Sequence, residues 1–119
     1  MSRIQGYQDL VIWQRSMILV ETVYKISKKL PVDERFGLIT QMCRASVSIP
    51  SNIAEGFGRQ ASGEYRHHLC MSRGSLLELE TQIILCQRLN FLRTDETDPI
   101  LTEIAELSRM LATLIGKLK

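Results

Sequence analysis

The side chains that could do chemistry are concentrated around a histidine pair and a nearby cysteine. Cys70 follows His67 by three residues, which places both on one side of a helix, as two metal ligands would be. A closed metal site needs more ligands, and the chain has no second pair at a comparable spacing. Cys43 and Cys86 have the pattern of small core residues. We therefore predict no metal site and no cofactor.

Serine is plentiful, but no motif in the sequence would activate a serine as a nucleophile. A nucleophile needs a base within hydrogen-bonding reach, and that base needs an orienting partner. The sequence has no nucleophile-elbow motif, and the "GFG" of residues 56–58 lacks the Lys and the Ser or Thr of a phosphate-binding loop. We predict that the protein is not an enzyme and has no catalytic residues.

Arginine is the basic residue of interest, because its guanidinium binds phosphate in a bidentate manner. Ten of the 15 basic residues are arginine. Arg66 and Arg73 are seven residues apart and therefore share one side of a helix, with Arg59 just before them and His67 close by. These four residues are the candidate nucleic-acid-binding residues.

Other features of the sequence leave a second interpretation of this helix side open. The net charge is only +2, so a single chain attracts a polyanion weakly, whereas an assembly would repeat the arginines once per subunit. Acidic residues also neighbour the arginines, at positions 64, 78 and 80. The alternative is a solvent-exposed helix face of mixed charge.

Length and composition indicate one domain spanning residues 1–119. The chain is 45% hydrophobic with only three prolines, and its apolar residues recur three or four positions apart, as in a helical protein. An odd number of cysteines and an N-terminus, "MSRIQGYQDL", without a signal-peptide apolar core predict a cytoplasmic protein. The apolar runs are too short to cross a bilayer, so we expect no membrane association.

Four amphipathic segments position these residues, and we predict helices over about 9–30, 34–58, 62–90 and 98–118. Asp9, Asp33, Ser62 and Asp98 are the predicted N-caps, with Pro99 in the first helical position of the last segment. Pro31 ends the first segment, and short joints favour antiparallel neighbours. The predicted fold is an all-α, antiparallel up-down four-helix bundle.

Pro50 falls in the middle of the second segment. The apolar row of this segment keeps its helical phase on both sides of the proline, which predicts a helix that continues with a kink near Pro50. The lost hydrogen bond lies one turn upstream, beside Ser46 and Ser48, whose hydroxyl groups can help to satisfy the backbone. The row comprises Leu38, Met42, Ala45, Ile49, Ile53 and Phe57.

Three stretches of the sequence resemble one protein family. They are "YQDLVIWQ" at residues 7–14, "GLITQMCRASVSIPSNIAEGFGR" at 37–59 and "GSLLELETQI" at 74–83. Together they resemble the four-helix bundle proteins that are encoded in intervening sequences of 23S rRNA genes. The resemblance spans nearly the whole chain.

The resemblance implies an antiparallel bundle that assembles as a homo-oligomer, a pentameric ring. It also implies a relationship to the accessory variability determinant of diversity-generating retroelements, a similar bundle that binds nucleic acid and a reverse transcriptase. A reverse transcriptase is accordingly one partner that the resemblance suggests, alongside RNA or DNA. The resemblance implies no particular biochemical role for the intervening-sequence family.

The polar side of the second helix is the second candidate surface. Gln41, Arg44, Ser48, Ser51 and Glu55 fall together opposite the apolar row, and we call these residues the α2 polar face. The face is either solvated or a subunit interface built around the kink, and the resemblance favours the interface. The candidate residues for an oligomer interface or kink are Arg44, Ser48, Pro50, Asn52 and Glu55.

Two functions remain open from the sequence. The first is a non-enzymatic, homo-oligomeric bundle that acts as a nucleic-acid-binding scaffold for an RNA or a retroelement ribonucleoprotein. The second is a ring-forming protein–protein interaction module that does not bind nucleic acid. Salt-dependent binding to RNA or DNA would separate them, because phosphate contacts weaken steeply as salt rises.

Overall fold

The computed structural model describes residues 3–59 and 61–118, and these residues form four long helices without any β-strand. Consecutive helices pack against each other, α2 and α3 most extensively, and α1 meets α4 to close the bundle. This confirms the predicted all-α four-helix bundle. The helices are α1 (Val11–Ser27), α2 (Leu38–Phe57), α3 (Ser62–Arg88) and α4 (Thr94–Lys117), with short 3-10 turns at Tyr7–Asp9 and Val32–Glu34.

The inward rows of the four helices meet in one apolar core. Burial of these side chains is the main favourable term in the stability of such a bundle, at about 1.5–3 kcal/mol for each large apolar side chain. The predicted row of α2 is buried from Met42 to Ile53 and half-buried at its two ends, Leu38 and Phe57. The largest fully buried apolar side chains are Val23, Met42, Ile49, Ile53, Leu69, Leu76, Leu79, Ile83, Ile104, Leu107 and Leu111.

Helices α1 and α2 begin later than the sequence predicts. The Asp9 carboxylate accepts a hydrogen bond from the backbone N–H of Gln5 at 2.9 Å, so it lies in the preceding 3-10 turn and does not cap α1. Asp33 also lies in a 3-10 turn, and α2 starts at Leu38. Glu34 reaches forward instead, and its carboxylate accepts the backbone N–H of Leu38 at 3.3 Å.

Helix α4 begins at Thr94, one turn before the predicted cap and start at Asp98 and Pro99. The Glu96 carboxylate accepts the backbone N–H of Arg93 at 2.9 Å, which satisfies a donor that precedes the first turn. This bond, together with the ammonium group of Lys29, holds the pKa of Glu96 below its ordinary value. Pro99 therefore lies inside the helix, where its missing N–H costs one backbone hydrogen bond.

Helix α2 continues through Pro50, as the phase of its apolar row predicts. Pro50 is buried and cannot donate to the carbonyl group of Ser46. Carbonyl groups beside it accept additional side-chain donors: Ser72 Oγ donates to the Ile49 carbonyl at 2.8 Å, and Asn52 Nδ2 to that of Ser48 at 2.9 Å. Side chains on both helices thus stabilise the backbone around the proline.

An ion cluster connects α1 to α4. Arg15 Nε donates to Glu103 Oε2 at 2.9 Å, and one terminal nitrogen of Arg15 donates to Glu106 Oε1 at 2.9 Å. The hydrogen bonds to these two carboxylates raise the pKa of Arg15 above its ordinary value, and the Arg15 guanidinium lowers that of Glu106. A groove of about 300 Å³ lies between α1 and α4 near Lys29 and Glu96, and its lining includes Ile26 and Ile100.

Gly56 permits the close approach of α2 to α3. A Cβ atom at this position would lie 2.6 Å from His68 Cβ and 3.3 Å from the carbonyl oxygen of Tyr65. Neither of those atoms can rotate away, because both are fixed to the α3 backbone. The rings of Phe57 and Tyr65 pack edge to face beside this point, with centroids 5.9 Å apart. Gly56 therefore sets the spacing of the two helices.

We expect Gly56→Ala to lower the free energy of unfolding by about 1–3 kcal/mol, because the two helices would have to separate. Gly74→Ala is the matched control, since Gly74 lies inside α3 and a Cβ atom there would meet no atom within 4 Å. This control should raise the stability by about 0.5–1 kcal/mol. Urea titrations followed by circular dichroism measure the change in the free energy of unfolding for both variants. Equal changes would contradict the proposed role of Gly56.

Candidate binding surfaces on α2 and α3

A line of hydrogen-bonded polar side chains runs along one edge of the α2–α3 contact, and we call it the polar seam. Ser75 Oγ donates to Ser48 Oγ at 2.9 Å, and Asn52 Nδ2 donates to Ser48 Oγ at 3.0 Å. His68 Nδ1 lies 3.1 Å from Asn52 Oδ1. The seam consists of Ser48, Asn52, His68 and Ser75.

The geometry of the seam determines which nitrogen of His68 carries a proton. Asn52 Nδ2 donates to Ser48, so Asn52 Oδ1 is the atom that faces the histidine, and an amide oxygen only accepts. His68 Nδ1 is therefore protonated and donates. His68 Nε2 faces the Glu55 carboxylate at 3.9 Å, beyond a normal hydrogen bond.

The structure separates the predicted α2 interface residues into three environments. Ser48 and Asn52 are half-buried and hydrogen-bonded in the polar seam, and Pro50 is buried inside the bundle. Arg44 and Glu55 are both exposed. The sequence placed Ser48 and Glu55 on one outward face, but the approach of α3 covers the side of that face on which Ser48 lies.

A polar groove of about 330 Å³ continues the seam towards the start of α2. Its lining includes the Arg44 side chain on α2 and the Glu78 carboxylate on α3. Within residues 3–59 and 61–118, Arg44 forms no ion pair. Deeper on α3, the amide oxygen of Gln82 is buried and has no hydrogen-bond partner among the described residues.

Arg59, one of the four predicted nucleic-acid-binding residues, is already paired with carboxylates of the chain. Its guanidinium lies 2.9 Å from the Glu55 carboxylate and 3.6 Å from that of Glu64. Glu55 and Arg59 are four residues apart, a spacing that favours such an ion pair. A phosphate would have to compete with two carboxylates for this guanidinium.

The other three predicted residues, Arg66, Arg73 and His67, are exposed on α3. Arg88 is exposed too and lies on the same side, 22 residues or about six helical turns beyond Arg66. Among the described residues, none of these three arginines forms an ion pair. We call Arg66, Arg73 and Arg88 the α3 arginine row.

Arg88 could have been found from the sequence by extending the helical period through the whole of α3. The apolar residues between Arg73 and Arg88 carried a further signal. Leu77 is 45% exposed and Ile84 is 37% exposed, and both lie on the side of the arginine row. The sequence prediction considered only the inward row of α3, so these exposed apolar positions were missed.

Nucleophiles and metal-binding side chains are dispersed in the part of the chain that the structure describes. No group of three or more His, Cys, Asp or Glu side chains there could hold a metal ion. Cys43, Cys70 and Cys86 are free thiols, and burial together with the charge of Glu34 raises the pKa of Cys86 to about 11. No helix among the described residues has the length and apolar character needed to cross a membrane.

Comparisons with known proteins agree with the fold. Residues 8–113 match the family model of the 23S rRNA-intervening sequence protein. A solved structure from Bacteroides thetaiotaomicron VPI-5482, a protein of unknown function from the S23 ribosomal protein family, superposes with a TM-score of 0.82 at 22% identity. The superposition covers 88% of this chain and 98% of the other. No curated protein matches the chain.

We expect Asn52→Ala to lower the free energy of unfolding by about 1–3 kcal/mol, because the donor on His68 Nδ1 would lose its acceptor. The His68 side chain is only 14% exposed, so water replaces that acceptor poorly. Ser51→Ala, at the adjacent exposed position, should change stability by less than about 0.5 kcal/mol. If urea unfolding showed the same loss for both variants, the seam would not stabilise the α2–α3 contact.

Proposed function

The chain belongs to the 23S rRNA-intervening sequence protein family, and we propose that it is a non-enzymatic bundle that forms a homo-oligomer and binds nucleic acid through α3. The α3 arginine row is the observation that carries this proposal. Its three guanidinium groups are exposed and have no carboxylate partner among the described residues. They are free to bind phosphates.

An unpaired guanidinium binds phosphate without first breaking an ion pair, and it can donate two parallel hydrogen bonds. Arg66 and Arg73 lie about 10 Å apart along the helix axis. Each phosphate contact releases condensed counterions, so several copies of the row in one assembly compensate for the small net charge of one chain. We propose RNA or DNA as the ligand on this basis.

An exposed apolar strip on α1 supports self-association. Val11 is 54% exposed and Ile18 is 61% exposed, and their spacing of seven residues places them on one side of α1. A second groove of about 160 Å³ between α1 and α4 begins at Ile18 and reaches Pro99 and Ile100. Ile18 and the apolar lining of this groove form an exposed apolar surface of a kind that is typical of protein interfaces. The α2 polar face offers less surface for self-association, because the Ser48 side chain is already hydrogen-bonded within the chain.

We expect Arg66→Ala/Arg73→Ala to weaken nucleic-acid binding at least tenfold, because two guanidinium groups that bind phosphate are removed from each protomer. For each phosphate that is no longer neutralised, the slope of log affinity against log salt should become shallower by about 0.9 with duplex DNA and by about 0.7 with single strands. Fluorescence anisotropy with a structured RNA, a single-stranded DNA and a duplex DNA, each at several salt concentrations, measures both quantities.

The matched control for this experiment is Arg59→Ala/Arg93→Ala. It removes the same total charge from two exposed arginines that are already paired, Arg59 with Glu55 and Arg93 with Asp95. We expect it to leave the salt slope close to that of the unmodified chain. Equal losses of affinity in the two double variants would refute the assignment to the α3 arginine row. Absence of binding at low salt would favour the protein-interaction module.

We expect Ile18→Glu to lower the oligomer mass, because it buries a carboxylate in the proposed apolar interface. Ser51→Glu places the same charge on an exposed position of the α2 polar face and should leave the mass unchanged. Light scattering coupled to size-exclusion chromatography measures the mass. Dissociation by Ser51→Glu alone would move the interface to α2, and a monomeric unmodified chain would refute the proposed homo-oligomer.

A further inference from the structure

The polar groove that continues the seam has a cation on α2 and a carboxylate on α3. Arg44 is one turn before Ser48 on α2. Ser75, which is hydrogen-bonded to Ser48, is one turn before Glu78 on α3. Because the two helices run antiparallel, Arg44 and Glu78 lie at the same level on opposite sides of the groove. Among the described residues, no ion pair joins these two charges.

Neither charge has another ionic partner close by on its own helix. Glu55 is the only acidic residue of α2; it lies about three turns from Arg44 and is paired with Arg59. On α3, no Lys or Arg lies within four residues of Glu78. The Glu78 carboxylate accepts only a long hydrogen bond from Gln82 Nε2, at 3.4 Å, which leaves its charge uncompensated. Each of the two charges is therefore available to a ligand in the groove.

Ser48 contributes a hydrogen-bond donor to the same groove. Its Oγ accepts from Ser75 Oγ at 2.9 Å and from Asn52 Nδ2 at 3.0 Å. A hydroxyl group has two acceptor lone pairs and one hydrogen, so both lone pairs of Ser48 are engaged. Its hydrogen has no acceptor among the described residues. An acceptor group placed beside Arg44 in the groove would receive this hydrogen as well as those of the guanidinium.

The balance of charge in the groove determines which class of ligand fits. A phosphate bound to Arg44 would lie near the Glu78 carboxylate, and a simple cation bound to Glu78 would lie near the Arg44 guanidinium. Like charges at such a distance oppose binding in both cases. An apolar ligand has little to cover, because alanine is the only apolar residue in the lining, which consists of Gln41, Arg44, Ala45, Ser48, Ser75 and Glu78. A small molecule with one charge of each sign matches both walls.

We propose that this groove binds a small zwitterion of the amino-acid type, with one carboxylate and one ammonium group. The ligand carboxylate accepts hydrogen bonds from the Arg44 guanidinium and the Ser48 hydroxyl, and the ligand ammonium group donates to the Glu78 carboxylate. The groove volume of about 330 Å³ is near the lower end of the range for ligand pockets, about 300–1,000 Å³, and so suits a small ligand. This proposal goes beyond nucleic-acid binding and does not depend on it, because the α3 arginine row does not line the groove.

The test titrates the full chain with four unbranched amino acids whose charge separation increases in steps: glycine, β-alanine, γ-aminobutyrate and δ-aminovalerate. Butyrate and butylamine are the controls, since each carries only one of the two charges. Saturation-transfer NMR measures the affinities. We expect at least one of the four zwitterions to bind at least tenfold more tightly than either control, because only a zwitterion pairs with both walls. Equal affinity for butyrate or butylamine, or no binding of any of the four, would overturn the proposal.

Variants locate the binding in the groove. Arg44→Gln and Glu78→Gln should each weaken the best zwitterion at least tenfold, because each removes one of the two ionic contacts. Arg44→Glu/Glu78→Arg restores one charge of each sign in the reverse order and should bind at least threefold more tightly than either single variant. Glu21→Gln/Arg35→Gln is the matched control, because it removes one exposed charge of each sign outside α2 and α3. Unchanged binding in Arg44→Gln or Glu78→Gln would overturn the proposal.

Two further readouts on Arg44→Gln test the other occupants. A lower oligomer mass would show that a second copy of the chain occupies the groove. A tenfold loss of RNA affinity, without the same loss in Glu21→Gln/Arg35→Gln, would show that nucleic acid occupies it. Either result would overturn the proposal. We expect the mass to stay that of the unmodified chain and the two variants to bind RNA alike, with an unchanged urea midpoint as evidence that the bundle is intact.

Discussion

The close approach of α2 and α3 at Gly56 is the constraint on which the rest of the structure depends. Gly56 has no side chain, so Cβ of His68 can occupy the place that a side chain at position 56 would need. The two helices can therefore pack at short range. That distance brings Asn52 within hydrogen-bonding reach of His68 and encloses Ser72 against the α2 backbone. It also fixes the rotation of α3, and so determines which of its side chains point away from the bundle.

The role of each arginine depends on whether a carboxylate of the chain is paired with it. Arg15 and Arg59 are held by carboxylates, one between α1 and α4 and the other at the end of α2, and they act as structural residues. The arginines of the α3 row have no such partners in the described chain and keep their full capacity to bind anions. A net charge near zero therefore conceals a difference among the arginines, since Arg15 and Arg59 are paired with carboxylates and those of the α3 row are not.

The sequence was sufficient for those parts of the fold that depend on one helix at a time. The period of 3.6 residues predicted the buried rows and the continuation of α2 through Pro50. Helix starts were predicted less well because a carboxylate near a terminus can choose among several donors, as Asp9 does with Gln5. In the candidate site, the exposure of Arg66 and Arg73 follows from periodicity, whereas the pairing of Ser48 with Ser75 depends on the rotation of two helices against each other. A single sequence contains no direct record of that rotation.

The three cysteines differ in their exposure, so a spectroscopic label can be attached selectively to α3. Cys86 is buried beside the sulfur of Met42 with its pKa raised to about 11, so it presents little thiolate to a reagent. Cys43 is half-buried, whereas Cys70 is exposed on α3 between Arg66 and Arg73. A maleimide dye or spin label therefore has a natural attachment point beside the arginine row. A label on Cys70 would report the binding of a ligand to that side of α3.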